Sequence, residues 1–195
     1  IGNPDNRGNS RFFTLASSPD EENIYITTRI IQSSFKMTLS KLSPGQEVLF
    51  NGPFGNFVLS GDKKPLVFLA GGIGITPFHS MIKYVADNKL GRQINLFVSW
   101  KSQADLIYHE ELKRISAENK NIIYVPTITD DFKNSIWDGE IGRIDEGNLN
   151  RYIKDFSNSI FYISGPQKMV EAMEKMVREM GVSGEQIKTD KFPGY

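Results

Sequence analysis

The chain has 195 residues, 39% of them hydrophobic, and 23 basic side chains balance 23 acidic ones. That is enough apolar material for one large or two small domains with a buried core, and the zero formal charge leaves no basic field to gather nucleic acid or an anionic membrane surface. The absence of cysteine excludes disulfides, thiolate nucleophiles, zinc–cysteine sites and an iron–sulfur cluster held by this chain. His79 and His109 stand too far apart for metal-ligand spacing and read as helix-surface residues, so no metal is expected. The longest apolar run is interrupted between Gly71 and Pro77, short of the roughly 18 residues of a bilayer span, and the expectation is a soluble, cytoplasmic chain. It opens on Ile1 and the polar "GNPDNRGNS", without the zones of a signal peptide, which suggests that further chain precedes it.

From Ser10 to about Ser60 the short runs "RFFTLAS", "NIYITTRII", "QEVLF" and "NFVLS" are separated by "SPDEEN", "SPGQ" and "NGPFG", the rhythm of an antiparallel sheet or barrel. Between them "SSFKMTLSKL" reads as a short serine-capped helix. After "SGDKKP" strands alternate with amphipathic helices: "PLVFLA", "PFHSMIKYVADN", "QINLFVSW", "ADLIYHEELKRISAEN" and "NIIYVPTIT". A long loop follows, then "EGNLNRYIKDF", "SIFYIS", "PQKMVEAMEKMVREMG" and "QIKTDKF". Strict alternation implies crossover connections and a parallel sheet covered on both faces. The reading is therefore two domains, residues 1–61 and 62–195, with the boundary near Gly61.

In such a sheet, ligands bind beyond the carboxyl ends of the strands, against backbone amides at helix starts. "LAGGIGITPF" occupies such a place. Gly71, Gly72 and Gly74 allow a sharp turn and close approach to a ligand, Thr76 can cap the following helix through its hydroxyl, and Pro77 suits its first turn. It is not a Walker A loop, since no Gly-Lys-Ser/Thr ends it, nor a G-x-G-x-x-G loop, since Pro77 stands where the third glycine belongs. A ligand-free strand-to-helix turn is the plain alternative. "FYISGPQKM" repeats the design, with a strand ending at Ser164, a turn at Gly165 and a helix opened by Pro166. Two such turns at one sheet edge strengthen the case for a nucleotide site and leave it level with the ligand-free turn.

Read in order, "RFFTLASSP", "GPFGNFVL", "LAGGIGITPF", "SGPQKM" and the terminal "FPGY" resemble the ferredoxin-NADP reductase family over essentially the whole chain. The resemblance implies a ferredoxin reductase-like fold: an antiparallel FAD-binding β-barrel, here partial, followed by a Rossmann-like NAD(P)-binding α/β domain. It implies a reductase that moves hydride from NAD(P)H to FAD and then single electrons to a protein acceptor, the cofactor carrying the redox chemistry. The flavin motif falls on Arg11, Phe13 and Thr14, with Phe12 between them. Arg11 would pair with the FAD pyrophosphate and Thr14 would set a hydroxyl near the reacting flavin nitrogen. Phe13 replaces the usual tyrosine, losing a hydrogen bond of about 1 kcal/mol. Thr28 and Arg29 would pass the flavin and its ribityl chain, and the amides around Ser34, Phe35 and Lys36 would receive FAD phosphates. Gly72, Gly74 and Thr76 would hold the nicotinamide dinucleotide. Ser164 stands where relatives commonly carry cysteine beside the nicotinamide, and Phe192 and Tyr195 match the aromatic segment that packs by the flavin. Thr14, Ser164 and Tyr195 are the expected catalytic residues. Arg11, Gly72 and Ser164 are expected to converge on one cleft.

Ser99 and Lys101 close the second parallel strand, with Asp105 further on. A basic residue there suits the 2′-phosphate, so the sequence leans toward NADPH over NADH, by at least tenfold or about 1.4 kcal/mol. The family's barrel has strands ahead of the arginine motif, near which this chain begins. An incomplete barrel with open edges implies weak FAD binding or strand pairing into a dimer. Without cysteine the electron acceptor is a separate protein or a fused segment: a ferredoxin, a flavodoxin, or another iron–sulfur or haem partner. A second reading is a nucleotide-binding or subunit-interface module that kept the fold without the catalysis, favoured by Phe13, Ser164 and the short barrel. A flavin-free dehydrogenase is the third, and the first half offers no acid, base or metal set to serve it.

Overall fold

The computed structural model describes residues 8–130 and 137–192. Six strands form one parallel sheet: β1 Leu66–Gly71, β2 Ile94–Trp100, β3 Ile122–Ile128, β4 Glu140–Ile141, β5 Ile160–Pro166 and β6 Ile187–Phe192, in the order β4-β3-β2-β1-β5-β6. The chain works outward from β1 through β2 and β3 to β4, then returns to lay β5 on the other side of β1. The switch point therefore falls between β1 and β5, where a doubly wound sheet opens a crevice at its carboxyl edge. The central strands read as continuous apolar runs because both faces are covered: all six residues of β1 are buried.

One face packs α2 Thr76–Asp87 and α3 His109–Glu118 against Phe68, Leu96, Val98 and Tyr162. On α2 the buried Phe78, Met81, Ile82 and Val85 recur at helical spacing. The other face packs α4 Glu146–Tyr152 and α5 Gln167–Glu179 against Val67, Leu69, Phe97, Phe161 and Ile163. Strand β4 was not foreseen, being only two residues long. The helix expected across 104–119 is broken: a short turn Gln103–Asp105, boxed by Ser102 and Asp105, is followed by Tyr108 with φ 58, and α3 begins only at His109.

The first half differs from the sequence expectation. Among the described residues before β1, one helix, α1 Ser34–Leu39, is formed, with an isolated antiparallel bridge from Leu15 to Ile26 and a further bridge position at Gly8. The other expected strands run without a ladder, because a strand is completed by a neighbour and not by its own alternation. The cap of α1 is Ser33, one residue earlier than the serine expected, its hydroxyl accepting from the Lys36 amide at 3.3 Å.

Candidate functional site: a pocket at the strand switch point

The switch point is built by two turns pressed together. Gly74 lies so close to β5 that a Cβ there would collide with the Ser164 carbonyl, so this glycine serves turn-to-turn packing. Gly72 has a different reason to be glycine: its φ is 53, in the left-handed region, and the space where a Cβ would stand is open. The backbone here winds into a 3-10 turn, Gly72–Ile75, ahead of α2. Thr76 consequently does not cap the helix as expected. It is helical itself, almost fully buried, and its hydroxyl donates to the Ile73 carbonyl at 3.1 Å.

A pocket of about 190 Å³ opens over this junction. Its glycine side is Gly71, Gly72 and Gly74, its far side Ser99, Lys101 and Thr129, and Pro166, Met169 and Phe192 close it from β5, α5 and β6. Arg29 of the first half reaches in and pairs with Asp105 at 3.3 Å, while Asp105 also accepts from the Ser102 amide at 3.2 Å and hydroxyl at 2.9 Å. Of the residues expected from sequence, Gly71, Gly72, Gly74, Ser99, Lys101, Pro166, Phe192 and Arg29 are brought together. Trp100, Asp105, Thr129 and Met169 were not foreseen as lining. Strand register makes Thr129 legible afterwards, since Trp100 pairs with Ile128 and the next residue of β3 joins the same edge.

Ser164 is fully buried and its hydroxyl has no hydrogen-bond partner, so it presents backbone rather than side chain to the neighbouring turn. Gly165, with φ 145, packs against Met169 and Gly71 behind the pocket wall. Of Arg11, Gly72 and Ser164, Gly72 alone lines this pocket, and the guanidinium there comes from Arg29. Arg11 instead lies 4.8 Å over the Phe35 ring, whose centroid is 6.0 Å from that of Phe13, so the expected flavin residues of the first strand and of α1 do gather at one place. Phe12 points away, 94% exposed. Thr14, next to Phe13 in sequence, and Thr28 are both half-buried. Tyr195 lies outside the described residues.

A hollow along α5 among Glu171, Glu174, Lys175, Arg178 and Glu179 is larger, but its charges satisfy one another, as in the Arg178–Glu174 pair at 2.8 Å, and it is a solvated helix face. Burial pushes the Asp190 carboxyl and the Tyr108 phenol up from their ordinary ranges.

Residues 68–175 match the oxidoreductase NAD-binding domain family. The chain belongs to that family. Within it, a protein of Yersinia pestis (strain Pestoides F), named as a component of a Na(+)-translocating NADH-quinone reductase, is 30% identical over 202 residues, covering 94% of this chain and 49% of that protein. The chain thus spans about half the length of the curated relatives it matches. Among solved structures, the Amycolatopsis cytochrome P450 reductase GcoB is similar with a TM-score of 0.80 at 22% identity, over 92% of this chain and 55% of that one. A ferredoxin NADP+ reductase from Neisseria gonorrhoeae, solved with bound FAD and NADP, gives 0.77 at 21% identity, over 93% of this chain and 79% of that one. The resemblance to the ferredoxin-NADP reductases and the parallel nucleotide-binding sheet are borne out. Among the described residues no helix is long and apolar enough to cross a membrane.

Proposed function

We propose that this chain is the cofactor-binding part of a flavin reductase that takes hydride from a nicotinamide dinucleotide and delivers single electrons to a protein-held acceptor. One observation carries the reading: the switch-point pocket joins open-faced Gly72 to a guanidinium from the other half of the chain and to a lysine and a carboxylate on the second strand's edge. The donor set fits a dinucleotide. Backbone amides at Gly72–Gly74 with Arg29 and Lys101 suit a pyrophosphate, and Asp105 suits a ribose hydroxyl. Because Asp105 shares the pocket with Lys101 and would repel a 2′-phosphate, NADH comes ahead of the NADPH that Lys101 alone suggested; the Yersinia relative, named as part of an NADH-quinone reductase, supports the same order.

FAD, when bound, supplies the hydride acceptor and the one-electron donor. The residues that would hold it are Arg11 for its phosphates, Phe13 and Phe35 as apolar neighbours, the amides of Ser34 to Lys36, and Thr14 and Thr28 as hydroxyl donors; the gathering of Arg11, Phe13 and Phe35 supports that grouping. Phe192 and Pro166 would exclude water from the nicotinamide end, with Tyr195 beyond them in sequence. We assign Ser164 a positioning role through its carbonyl against Gly74 rather than a role at the reacting carbon. The domain boundary near Gly61, a cytoplasmic location and an iron–sulfur, haem or quinone-linked acceptor belong to the same proposal.

The test is anaerobic titration of the FAD-loaded full protein with NADH and with NADPH, followed by flavin absorbance. Bleaching by NADH at lower concentration than by NADPH is expected. A protein that retains no flavin, or retains it without bleaching, rejects the reductase reading in favour of a nucleotide-binding or interface module.

A further inference from the structure

His79 was expected on a helix surface, and it is instead fully buried in the first turns of α2. Burying an imidazole costs free energy unless its nitrogens find partners. Both do. Nδ1 lies 2.7 Å from the Ala16 carbonyl, which can only accept, so this nitrogen donates. Nε2 lies 2.9 Å from the Glu111 carboxylate on α3. The ring stacks on Tyr108 with centroids 3.8 Å apart and planes within 20°. Tyr108 is held in the left-handed backbone region at φ 58, a rare and strained conformation for a bulky side chain, and its hydroxyl bonds the Thr27 hydroxyl. Beside it the Ser80 hydroxyl donates to the Ser17 carbonyl at 2.7 Å.

An apolar residue at this place would fill the core with no need of acceptors. His79 instead joins three separate stretches of chain, with Ala16 63 positions and Glu111 32 positions away. The stretch it holds runs through the Leu15–Ile26 bridge to Thr27, and two residues later carries Arg29 into the pocket. The polar cluster therefore sits between the sheet half and Arg29, which among the described residues is the part of the first half that reaches the dinucleotide site.

We propose that His79 is a positioning residue: through Ala16, Tyr108 and Thr27 it pins residues 15–29 across α2 and α3 and so fixes Arg29 at the switch-point pocket. The structural part stands on its own, whereas the consequence for nucleotide binding rests on the function proposed above.

Two measurements separate them. In His79→Leu, which keeps the burial and removes both hydrogen bonds, amide exchange at residues 15–29 of the cofactor-free full protein should rise about tenfold or more, while β1, β2 and α5 keep their protection. Glu111→Ala, on a partly exposed side chain, provides a milder variant that should raise exchange in the same stretch; His79→Gln, whose amide N–H groups can still donate to these acceptors, should restore part of the protection. Unchanged exchange at 15–29, or a uniform rise across the sheet, overturns the pin whatever the nucleotide does. With NADH, His79→Leu should weaken binding by about the factor seen for Arg29→Ala, and the double variant should be little worse than either, because both act through one guanidinium. Additive losses overturn the link from His79 to Arg29. Wild-type protein that fails to bind NADH refutes the proposed function and leaves the exchange result to decide the pin.

Discussion

The sheet half and the half before it are held together by different physics. From Leu66 onward, strands find their partners through crossovers within the same stretch of chain, both faces are covered, and the core is dominated by apolar side chains, with a few buried polar groups such as His79 and Ser164. Residues 8–62 contribute few buried apolar side chains, chiefly Ala16 and Phe35, and leave Leu49, Phe50 and Phe54 exposed. They are seated on the sheet half by Phe57 and Leu59, which pack against its core, and by discrete polar contacts: His79 and Ser80 to Ala16 and Ser17, Asn88 to Asp20, Tyr108 to Thr27, Asp105 to Arg29, and Tyr162 to the 58–60 segment. Loss of a contact in a core built by area is felt by the whole sheet, whereas a docking surface held by a few hydrogen bonds can open locally while the sheet stays folded. The candidate pocket is lined from both: glycine turns from the first and the Arg29 guanidinium from the second.

The largest effect should come from striking the rigid half at its tightest point. Gly74→Ala drives a methyl into the Ser164 carbonyl and the Gly165 backbone. Backbone cannot swing aside as a side chain would, so a loss of about 3 kcal/mol is expected, read as a lowered denaturation midpoint. A variant within about 0.5 kcal/mol of wild type would show that the two turns are not packed as described.

Next comes the joint. Tyr162 is fully buried in β5 and its hydroxyl donates to the Val58 carbonyl at 3.0 Å while accepting from the Ser60 amide at 2.8 Å and Lys188 at 3.1 Å. Tyr162→Phe keeps the edge-on packing against Phe57 and Phe68 and strands those partners, so about 1–2 kcal/mol should be lost. Thermal unfolding with hydrogen exchange checks this. If the sheet amides rather than the 58–60 segment lose protection, the distinction between the halves fails there.

How far this contrast was legible in the sequence follows from the same physics. The parallel strands and their helices were readable because continuous apolar runs and helical spacing are local signals, as in "LVFLA" and the α2 stretch. The two proline-led turns were readable as turns meeting at one sheet edge because glycine and proline constrain the backbone wherever they stand. The break at Tyr108 was not, because its left-handed backbone is imposed by the stack on His79 and the bond to Thr27. The burial of His79 was hidden for the same reason: its partners lie far off in the chain. Thr76 misled because a side chain able to cap also bonds back within a 3-10 turn. The antiparallel pattern before residue 60 was visible, but strand pairing is a tertiary outcome.

Under the proposed function, breaking the Arg29–Asp105 contact should affect ligand more than fold. The Arg29–Asp105 pair is partly exposed, so Arg29→Ala should change stability by no more than about 0.5 kcal/mol. Under the proposed function it should weaken NADH binding about tenfold, near 1.4 kcal/mol, with Asp105→Ser narrowing the preference between NADH and NADPH. Calorimetric titration decides: a large stability loss with unchanged affinity would make Arg29 part of the docking surface alone.

The smallest effect concerns the edge strand. Asp190 on β6 stands beside Ser164 in register, and burial raises its pKa. An acid raised in the folded state keeps its proton to higher pH than the unfolded chain does, so folding binds the extra proton and stability falls as pH climbs through the window above the ordinary aspartate value of about 3.9. Below that window the carboxyl is protonated in both states and costs nothing; above it the cost is complete. Asp190→Asn, which is neutral at every pH, should therefore raise the melting temperature at neutral pH by about a degree or two and match the wild type near pH ~3. If the asparagine variant melts lower at neutral pH, the carboxylate is being held by a favourable contact, and the β6 edge is more polar than its burial implies.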